Sequence, residues 1–338
     1  MTDSYQQIVL ASRPAGAPVA QNFRLECGPM PTPADGEILV RARYLSLDPY
    51  MRGRMNDAKS YAKPVEIGAV MEGETVAEVI QSRSPQFRPG DLVQAPTGWR
   101  THAAIGAAGL RRVDPGLAPI TTALGVLGMP GFTAYAGMNV IGQPKPAETV
   151  VVAAASGPVG SLVGQLAKLA GARAVGLAGG PEKCAFVRDE LGFDAVIDHR
   201  SSQLAQALAE ACPDGVDVYF ENVGGPIWQA VLPLLNRFAR APICGLIAHY
   251  NGAGGAEQDL LPATMLAILR RSVVLRGYIN TEFVDDHYEA FLQEIGPRVR
   301  AGDIRYREDI ADGLEAAPDA FIGMLAGRNF GKALVRLS

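Results

Sequence analysis

Residues 149–161 read TVVVAAASGPVGS. A β-branched run from Thr149 to Val152 passes straight into a turn built from small residues. A helical pattern follows, in which Val159, Leu162, Val163, Leu166, Ala167 and Ala170 share one face. Gly171 then stands where a left-handed residue closes such a helix. Strand, small-residue turn and amphipathic helix are the parts of a phosphate cradle, because the first N–H groups of the helix and its dipole favour an anion. The usual fingerprint is G-x-G-x-x-G. Here Ala155 takes the first place, with Gly157 and Gly160 in the others. An incomplete fingerprint fits many α/β turns, so the surrounding chain has to decide.

From about residue 148 the rhythm is strand, helix, strand. ARAVGLA, FDAVIDH, VDVYFENVGG, RAPICGLI and SVVLRGYI read as strands. PEKCAFVRDELG, SQLAQALAEAC, PIWQAVLPLL and PATMLAILRR read as the helices between them, and a further helix is expected around 284–296. Crossovers this short require a parallel, doubly wound sheet. Residues 1–115 behave differently. GEILVRARYLSL, GAVMEGETVAEVI and GDLVQAPTGWRTHAAI are short β-type runs closely punctuated by proline and glycine, which predicts a mostly-β, barrel-like domain. Residues 116–142 read as helical, and the final run, FIGMLAGRNFGKALVRL, ends in a strand.

Composition limits the function. A chain of 338 residues exceeds one typical core, so two domains are expected. A net charge of −4, with no basic run longer than two residues, removes the electrostatic footprint of a nucleic-acid binder. The N-terminus has neither the basic start nor the apolar core of a secretion signal. Residues 115–144 carry no charge, but prolines and glycines interrupt them, and they read as buried protein rather than membrane helix. Cys27, Cys184, Cys212 and Cys244 are scattered, with no C-x-x-C, which suits reduced thiols in a cytoplasm.

In this context the 153–161 turn reads as a dinucleotide site. Gly157 lets the backbone approach a pyrophosphate, and Gly160 lets the helix pack closely on the sheet. NAD sites place an acid at the end of the second strand, for the ribose 2′-hydroxyl. That strand ends in LAGGPEK, with Gly179 and Gly180 in the turn and Lys183 just beyond, while His199 and Arg200 close the next strand. Loss of the acid removes repulsion, and the cations attract a 2′-phosphate, so NADP is expected. None of the four histidines (102, 199, 249, 287) stands at ligand spacing from Cys or Glu, and no metal is expected. Without a Lewis acid, hydride addition to a C=C bond already polarised by a carbonyl needs less help than oxidation of a plain alcohol. A tyrosine or ribose hydroxyl would stabilise the enolate.

LSLDPYMRGRM (45–55), GMPGFTAYAGM (128–138), AAASGPVGS (153–161), YFENVGG (219–225), ICGLIAHYN (243–251) and NFGKALV (329–335) together resemble one family along the whole chain. It is the zinc-independent medium-chain dehydrogenase/reductases, in the branch of prostaglandin/leukotriene reductases and bacterial curcumin reductase-like enzymes. The resemblance implies a GroES-like mostly-β catalytic domain from residues 1–124 and 302–338, and a Rossmann NADP-binding domain from 125–301. It implies NADPH-dependent reduction of the C=C bond of α,β-unsaturated ketones or aldehydes, by a cytoplasmic homodimer.

Carried onto this chain, the resemblance puts Gly157, Pro158, Val159 and Gly160 on the pyrophosphate and Lys183 on the 2′-phosphate, with Gly179, His199 and Arg200 alongside. Many relatives carry a tyrosine where His199 stands. Thr133, Asn222, Cys244, Gly245, Tyr278 and Asn329 would line the cofactor. Tyr250 would bond the nicotinamide ribose hydroxyl, Tyr61 would lie near the substrate carbonyl, and Tyr50 is the third catalytic candidate. The glycine-rich loop 251–262 would wall the substrate site. Two other functions fit the same cofactor: quinone reduction, and a non-catalytic NADPH-binding redox sensor.

Overall fold

The computed structural model describes residues 4–252 and 260–337. The expected substrate-site wall, 251–262, therefore lies largely outside the described residues. The chain divides into two compact units, one of residues 1–125, 250–252 and 308–338, the other of residues 126–249 and 253–307.

The first unit is built on strands. β1 (Ser4–Leu10) pairs antiparallel with β2 (Phe23–Pro29). A seven-stranded sheet contains β3 (Glu37–Ser46), β4 (Thr75–Ser82), β5 (Leu92–Ala95), β6 (His102–Gly106) and β7 (Arg111–Arg112). Its remaining strands, Glu308–Asp312 and Lys332–Arg336, come from the far end of the chain, and the latter pairs antiparallel with β3. One core packs Ile8, Leu10, Leu45, Met51, Trp99 and Phe321 together. The short helix α1 (Tyr50–Arg54) follows β3, and its first N–H groups are bonded by the Asp48 and Pro49 carbonyls.

The second unit is a six-stranded, all-parallel sheet. Its strands are β8 (Thr149–Val152), β9 (Arg173–Ala178), β10 (Ala195–Asp198), β11 (Val216–Phe220), β12 (Leu235–Ile243) and β13 (Val274–Gly277). They lie in the order β10-β9-β8-β11-β12-β13, so the winding reverses between β8 and β11. That is the doubly wound dinucleotide order, and ligands bind beyond the carboxyl ends of such strands at the reversal. Val150, Val151 and Val152 are fully buried, as expected for a central strand covered on both faces.

The helices of this unit are α2 (Met129–Ala136), α3 (Gly160–Leu169), α4 (Pro181–Ala185), α5 (Leu204–Ala211), α6 (Gly225–Val231), α7 (Leu261–Arg271) and α8 (Val284–Ala301). Three expectations need adjusting. The α3 helix starts at Gly160, one residue after Val159. The α4 helix continues as a π-helical turn, Phe186–Glu190. The α8 helix runs through Pro297 to Ala301 instead of stopping at 296. Its buried face, Phe291, Ile295 and Val299, continues past the proline at helical spacing, and that burial offsets the single hydrogen bond a proline removes.

Candidate active site and cofactor cradle

The cradle begins where β8 ends. The turn is taken by Ala154, which sits in the left-handed region at φ +47°. Ala155 is an ordinary buried residue whose N–H bonds the Leu177 carbonyl at 2.9 Å. The turning residue has moved back by one, which explains why the first glycine of the fingerprint is dispensable here. Gly160 is not dispensable. A Cβ there would lie 2.5 Å from the Ala154 carbonyl oxygen and 2.9 Å from that of Ala153. At Gly157 the nearest atom would be the Ala154 oxygen, at 3.1 Å. Pro158 and Val159 complete the turn, where the Ser161 N–H bonds the Gly157 carbonyl at 3.0 Å and the Leu162 N–H the Val159 carbonyl at 3.1 Å, so the N-terminal end of α3 is wound directly onto the strand end.

At the end of β9, Gly179 and Gly180 form the second turn, Gly180 at φ +90°. A Cβ on Gly179 would meet His199 Nε2 at 2.9 Å and Arg200 Nε at 3.1 Å. The imidazole and the guanidinium therefore lie directly over the glycine that replaces an acid. Lys183 is in the first turn of α4, half-buried beside this cluster. The neighbour that sequence reasoning missed is Asp198. Its carboxylate accepts the N–H of Arg200 at 3.0 Å and that of Gly180, and these bonds hold its pKa below the usual carboxylate range. Its position at the end of β10 was the available signal. His199 has its pKa pushed down by desolvation, against the pull of Asp198, so near neutral pH it offers a neutral imidazole.

Across the reversal, β11 ends in the Glu221–Gly225 turn. Asn222 Nδ2 donates to the Ala153 carbonyl at 2.9 Å, lacing the ends of β8 and β11 together. Its Oδ1 is buried and has no hydrogen-bond partner among the described residues. A buried acceptor left open beside the glycine turn fits a bound group that brings its own donors. Glu221 was also missed. It is buried, and its Oε1 accepts from Tyr219 Oη at 3.1 Å and from the Val223 and Gly224 N–H groups at 2.8 Å each. Burial pushes its pKa up, and those N–H groups pull it back.

Beyond β12, burial pushes the Cys244 thiol up to about 12, so it is inert; Gly245 follows it. Tyr278, just beyond β13, is buried and donates its hydroxyl to the Thr133 carbonyl at 2.7 Å. Thr133 in turn donates its hydroxyl to the Met129 carbonyl at 2.8 Å. These two candidates therefore spend their hydroxyl protons on the protein and can offer a ligand only surface and lone pairs.

The first unit gathers the remaining candidates. Arg54, nearly buried, lies over the Tyr61 ring at 4.4 Å and the Tyr50 ring at 5.5 Å, and its Nε donates to Glu72 at 3.2 Å. Tyr61 is otherwise exposed, whereas Tyr50 packs on the core. Burial, then Asp48, Glu74 and Glu72, push the Tyr50 phenol well above its ordinary pKa, so it stays protonated and able to donate. Tyr50 also lines a cavity of about 410 Å³ with Met71, Glu72, Glu74, Thr97 and Arg100. The acidic alternation in MEGET was the sequence signal for this wall. Tyr250 follows the short turn Ile247–His249 and groups with this unit. Asn329 Nδ2 folds back onto the Gly331 carbonyl at 2.8 Å. Among the described residues no group of three or more His, Cys, Asp or Glu could hold a metal ion.

The Glu74 carboxyl is pushed up to about 6, first by burial and then by Asp48, while Arg111 pulls it down. A carboxyl raised in the folded state contributes stability that is complete below its ordinary value of 4.5 and is lost as pH rises through about 6. Glu74→Gln should therefore leave stability unchanged near pH 4 and raise it near pH 8 by up to about 2 kcal/mol. Urea unfolding at both pH values checks this, and equal stability of the two proteins near pH 8 would refute it.

Residues 6–113 match the family described as an N-terminal domain of oxidoreductase, and residues 158–295 the one described as a zinc-binding dehydrogenase. The chain is 50% identical to the NADPH-dependent curcumin reductase of Escherichia coli, over 98% of this chain and 96% of that one. It is 39% identical to the NADP(+)-dependent 2-alkenal reductase of Nicotiana tabacum, over 89% and 88%. The crystal structure of CurA from Vibrio vulnificus in complex with NADPH superposes with a TM-score of 0.95, at 50% identity, covering 98% of this chain and 99% of that one.

Proposed function

Because this chain belongs to the zinc-independent medium-chain dehydrogenase/reductases, in the branch that holds the bacterial curcumin reductases and the prostaglandin reductases, we propose that it reduces the C=C bond of α,β-unsaturated ketones and aldehydes with NADPH. The observation that carries the reading is the half-identity to a curcumin reductase along nearly the whole chain, on a fold that keeps the glycine turn intact. When bound, NADPH supplies the hydride for the β-carbon.

The protein's own residues do the rest. Gly157 to Gly160 seat the pyrophosphate, and Lys183, Arg200 and His199, around Gly179, take the 2′-phosphate. Asn222, Cys244, Gly245, Thr133, Tyr278 and Asn329 form the walls. Tyr250 holds the nicotinamide ribose hydroxyl, and Tyr61 and Tyr50 face the substrate carbonyl, where a phenol O–H donates to the oxygen that becomes an enolate. The α-carbon takes its proton from water. In this reading residues 1–124 with 302–338 form the catalytic domain and 125–301 the NADP-binding domain.

The test is NADPH oxidation, with NADH in parallel, against a medium-chain 2-alkenal, an aryl enone and a simple quinone. Turnover of the two enones with NADPH and little with NADH supports the reading. Turnover of the quinone alone, or binding of NADPH with no turnover, overturns it. Tyr250→Phe should lower kcat about ten- to hundredfold with the fold intact, and normal turnover would remove Tyr250 from the mechanism.

We further infer a cytoplasmic homodimer. The four unpaired cysteines suit a reducing compartment. Support for the dimer comes from β13, an edge strand, and from the apolar side chains exposed beside it, Leu261, Met265 and Leu269 on α7 and Val274 on β13. Sedimentation should find a dimer, and Leu269→Glu should shift it to monomer. A monomeric parent chain would refute the assignment.

A further inference from the structure

Two of the motifs quoted at the outset, DPYMR and the tyrosine–asparagine pair that ends ICGLIAHYN, meet through one side chain. Arg52 is only 2% exposed. Its Nη2 donates to the Gly16 carbonyl at 2.6 Å, its Nη1 to Asn56 Oδ1 at 2.6 Å, and its Nε to Asn251 Oδ1 at 3.1 Å. All three nitrogens of the guanidinium are used, each on a different stretch of chain. Gly16 lies in the loop between β1 and β2, Asn56 just past α1, and Asn251 immediately after Tyr250. The Asn251 carbonyl oxygen also comes within 3.9 Å of where a Cβ on Gly16 would stand. Residues 250–252 accordingly group with the first unit, although His249 before them belongs to the second.

A guanidinium is planar, and its donors point in fixed directions. Buried and bonded through all three of its nitrogens, it holds its three partners in one arrangement, and no shorter or rotating cation can do the same. Asn251 is tied at its side chain, so the backbone of its neighbour is tied as well. α1 also carries Tyr50 at its start and Arg54 at its end, the residue that lies over Tyr50 and Tyr61. One arginine therefore relates the Tyr250 segment to the segment bearing the other two tyrosines.

We propose that Arg52 and Asn251 are positioning residues that set Tyr250 for hydride transfer, an inference that rests on the role given to Tyr250 above. Neither residue touches the reacting atoms in this account. Their effect passes through the placement of the Tyr250 hydroxyl.

The experiment is a cycle of Asn251→Ala and Tyr250→Phe, singly and together, with Asn251→Asp as the conservative variant. Asn251→Asp keeps an acceptor for Arg52 Nε. The readouts are kcat on an aryl enone, NADPH affinity by fluorescence, and thermal unfolding. Asn251→Ala is expected to lower kcat about tenfold or more while NADPH affinity stays within about twofold. In the Tyr250→Phe background the same change should cost less than about twofold, because the group being positioned is gone. Asn251→Asp should keep kcat within about threefold of the parent. Equal losses in both backgrounds would assign Asn251 a general structural role and overturn the proposal, as would normal turnover of Asn251→Ala. If Tyr250→Phe alone is fully active, the reading of Tyr250 has failed, and the positioning role fails with it. If Tyr250→Phe is slow and the two losses multiply, only the positioning role has failed.

Discussion

Gly160→Ala should cost this protein its NADPH and part of its stability together. The added Cβ would sit 2.5 Å from one backbone carbonyl oxygen and 2.9 Å from another. Backbone at the end of a fully buried central strand cannot swing aside as a flexible side chain can. The start of α3 must therefore retreat from β8, and the positive end of the helix, which in the proposed reading seats the pyrophosphate, retreats with it. Overpacking of this kind costs about 1–3 kcal/mol in folding free energy. The loss in NADPH affinity is expected to reach about a hundredfold, equivalent to roughly 2.7 kcal/mol. Gly157→Ala is the internal control. Its nearest contact would be 3.1 Å, so a shift of a few tenths of an ångström suffices, and its affinity loss should stay below about tenfold. Fluorescence titration of NADPH and thermal unfolding of both variants decide the matter. Parental affinity in Gly160→Ala would show that the turn is not the cradle.

Lys332→Met should be the most destabilising single change in the first unit. Lys332 Nζ donates to Asp48 Oδ1 and to the Leu47 carbonyl, each at 2.7 Å, and both charged side chains are almost wholly buried. Ser46 Oγ donates to the other Asp48 oxygen. Burial pushes the Lys332 pKa down, and Asp48 holds it up. Removing the cation leaves a carboxylate in the interior with one hydroxyl for company, and breaking such a pair costs about 3–5 kcal/mol. The pair joins the last strand of the chain to the entry of α1, since the Asp48 carbonyl accepts the Met51 N–H at 3.1 Å. Activity should fall with stability, because Tyr50, Arg52 and Arg54 all lie on that helix. Urea unfolding measures the first effect. Asp48→Asn combined with Lys332→Met should recover part of the loss, since no buried carboxylate then remains at position 48. A loss below about 1 kcal/mol in Lys332→Met would place the pair among interactions of surface strength.

Much of this molecule was legible from period and punctuation. The β-branched run before 153, the six apolar positions after it and Gly171 at the helix end located β8, the turn and α3, because each is a local property of a few consecutive residues. The LAGG ending of β9 was legible for the same reason. What escaped depends on contacts between residues far apart in the chain. Glu221 and Asp198 look like ordinary strand-end acids until the turns whose N–H groups they accept are folded around them. Arg54 shows no sign in the sequence of lying over two tyrosines. Tyr278 reads as a wall residue, and only the structure reveals that its proton goes to Thr133. The helix over 284–301 was cut short because a proline is a strong local signal, and the burial that overrides it is a tertiary one. Ala155 is the converse case. The missing glycine looked like a defect, and Ala154 had already taken the turn.

The strand Lys332–Arg336 lies between β3 and the strand Glu308–Asp312 in the first unit's sheet. It also follows every residue of the second unit in the sequence. A ribosome therefore releases every residue of the second unit before the first can close its sheet or bury the Asp48 charge. Until then the Tyr44–Ser46 end of β3 waits with an open edge, the kind of surface that pairs with the wrong neighbour. The order of completion thus runs against the order of synthesis: the unit whose strands β1 to β7 are made first closes its sheet only after the unit that follows them, and the codons for residues 332–336 decide whether it closes at all.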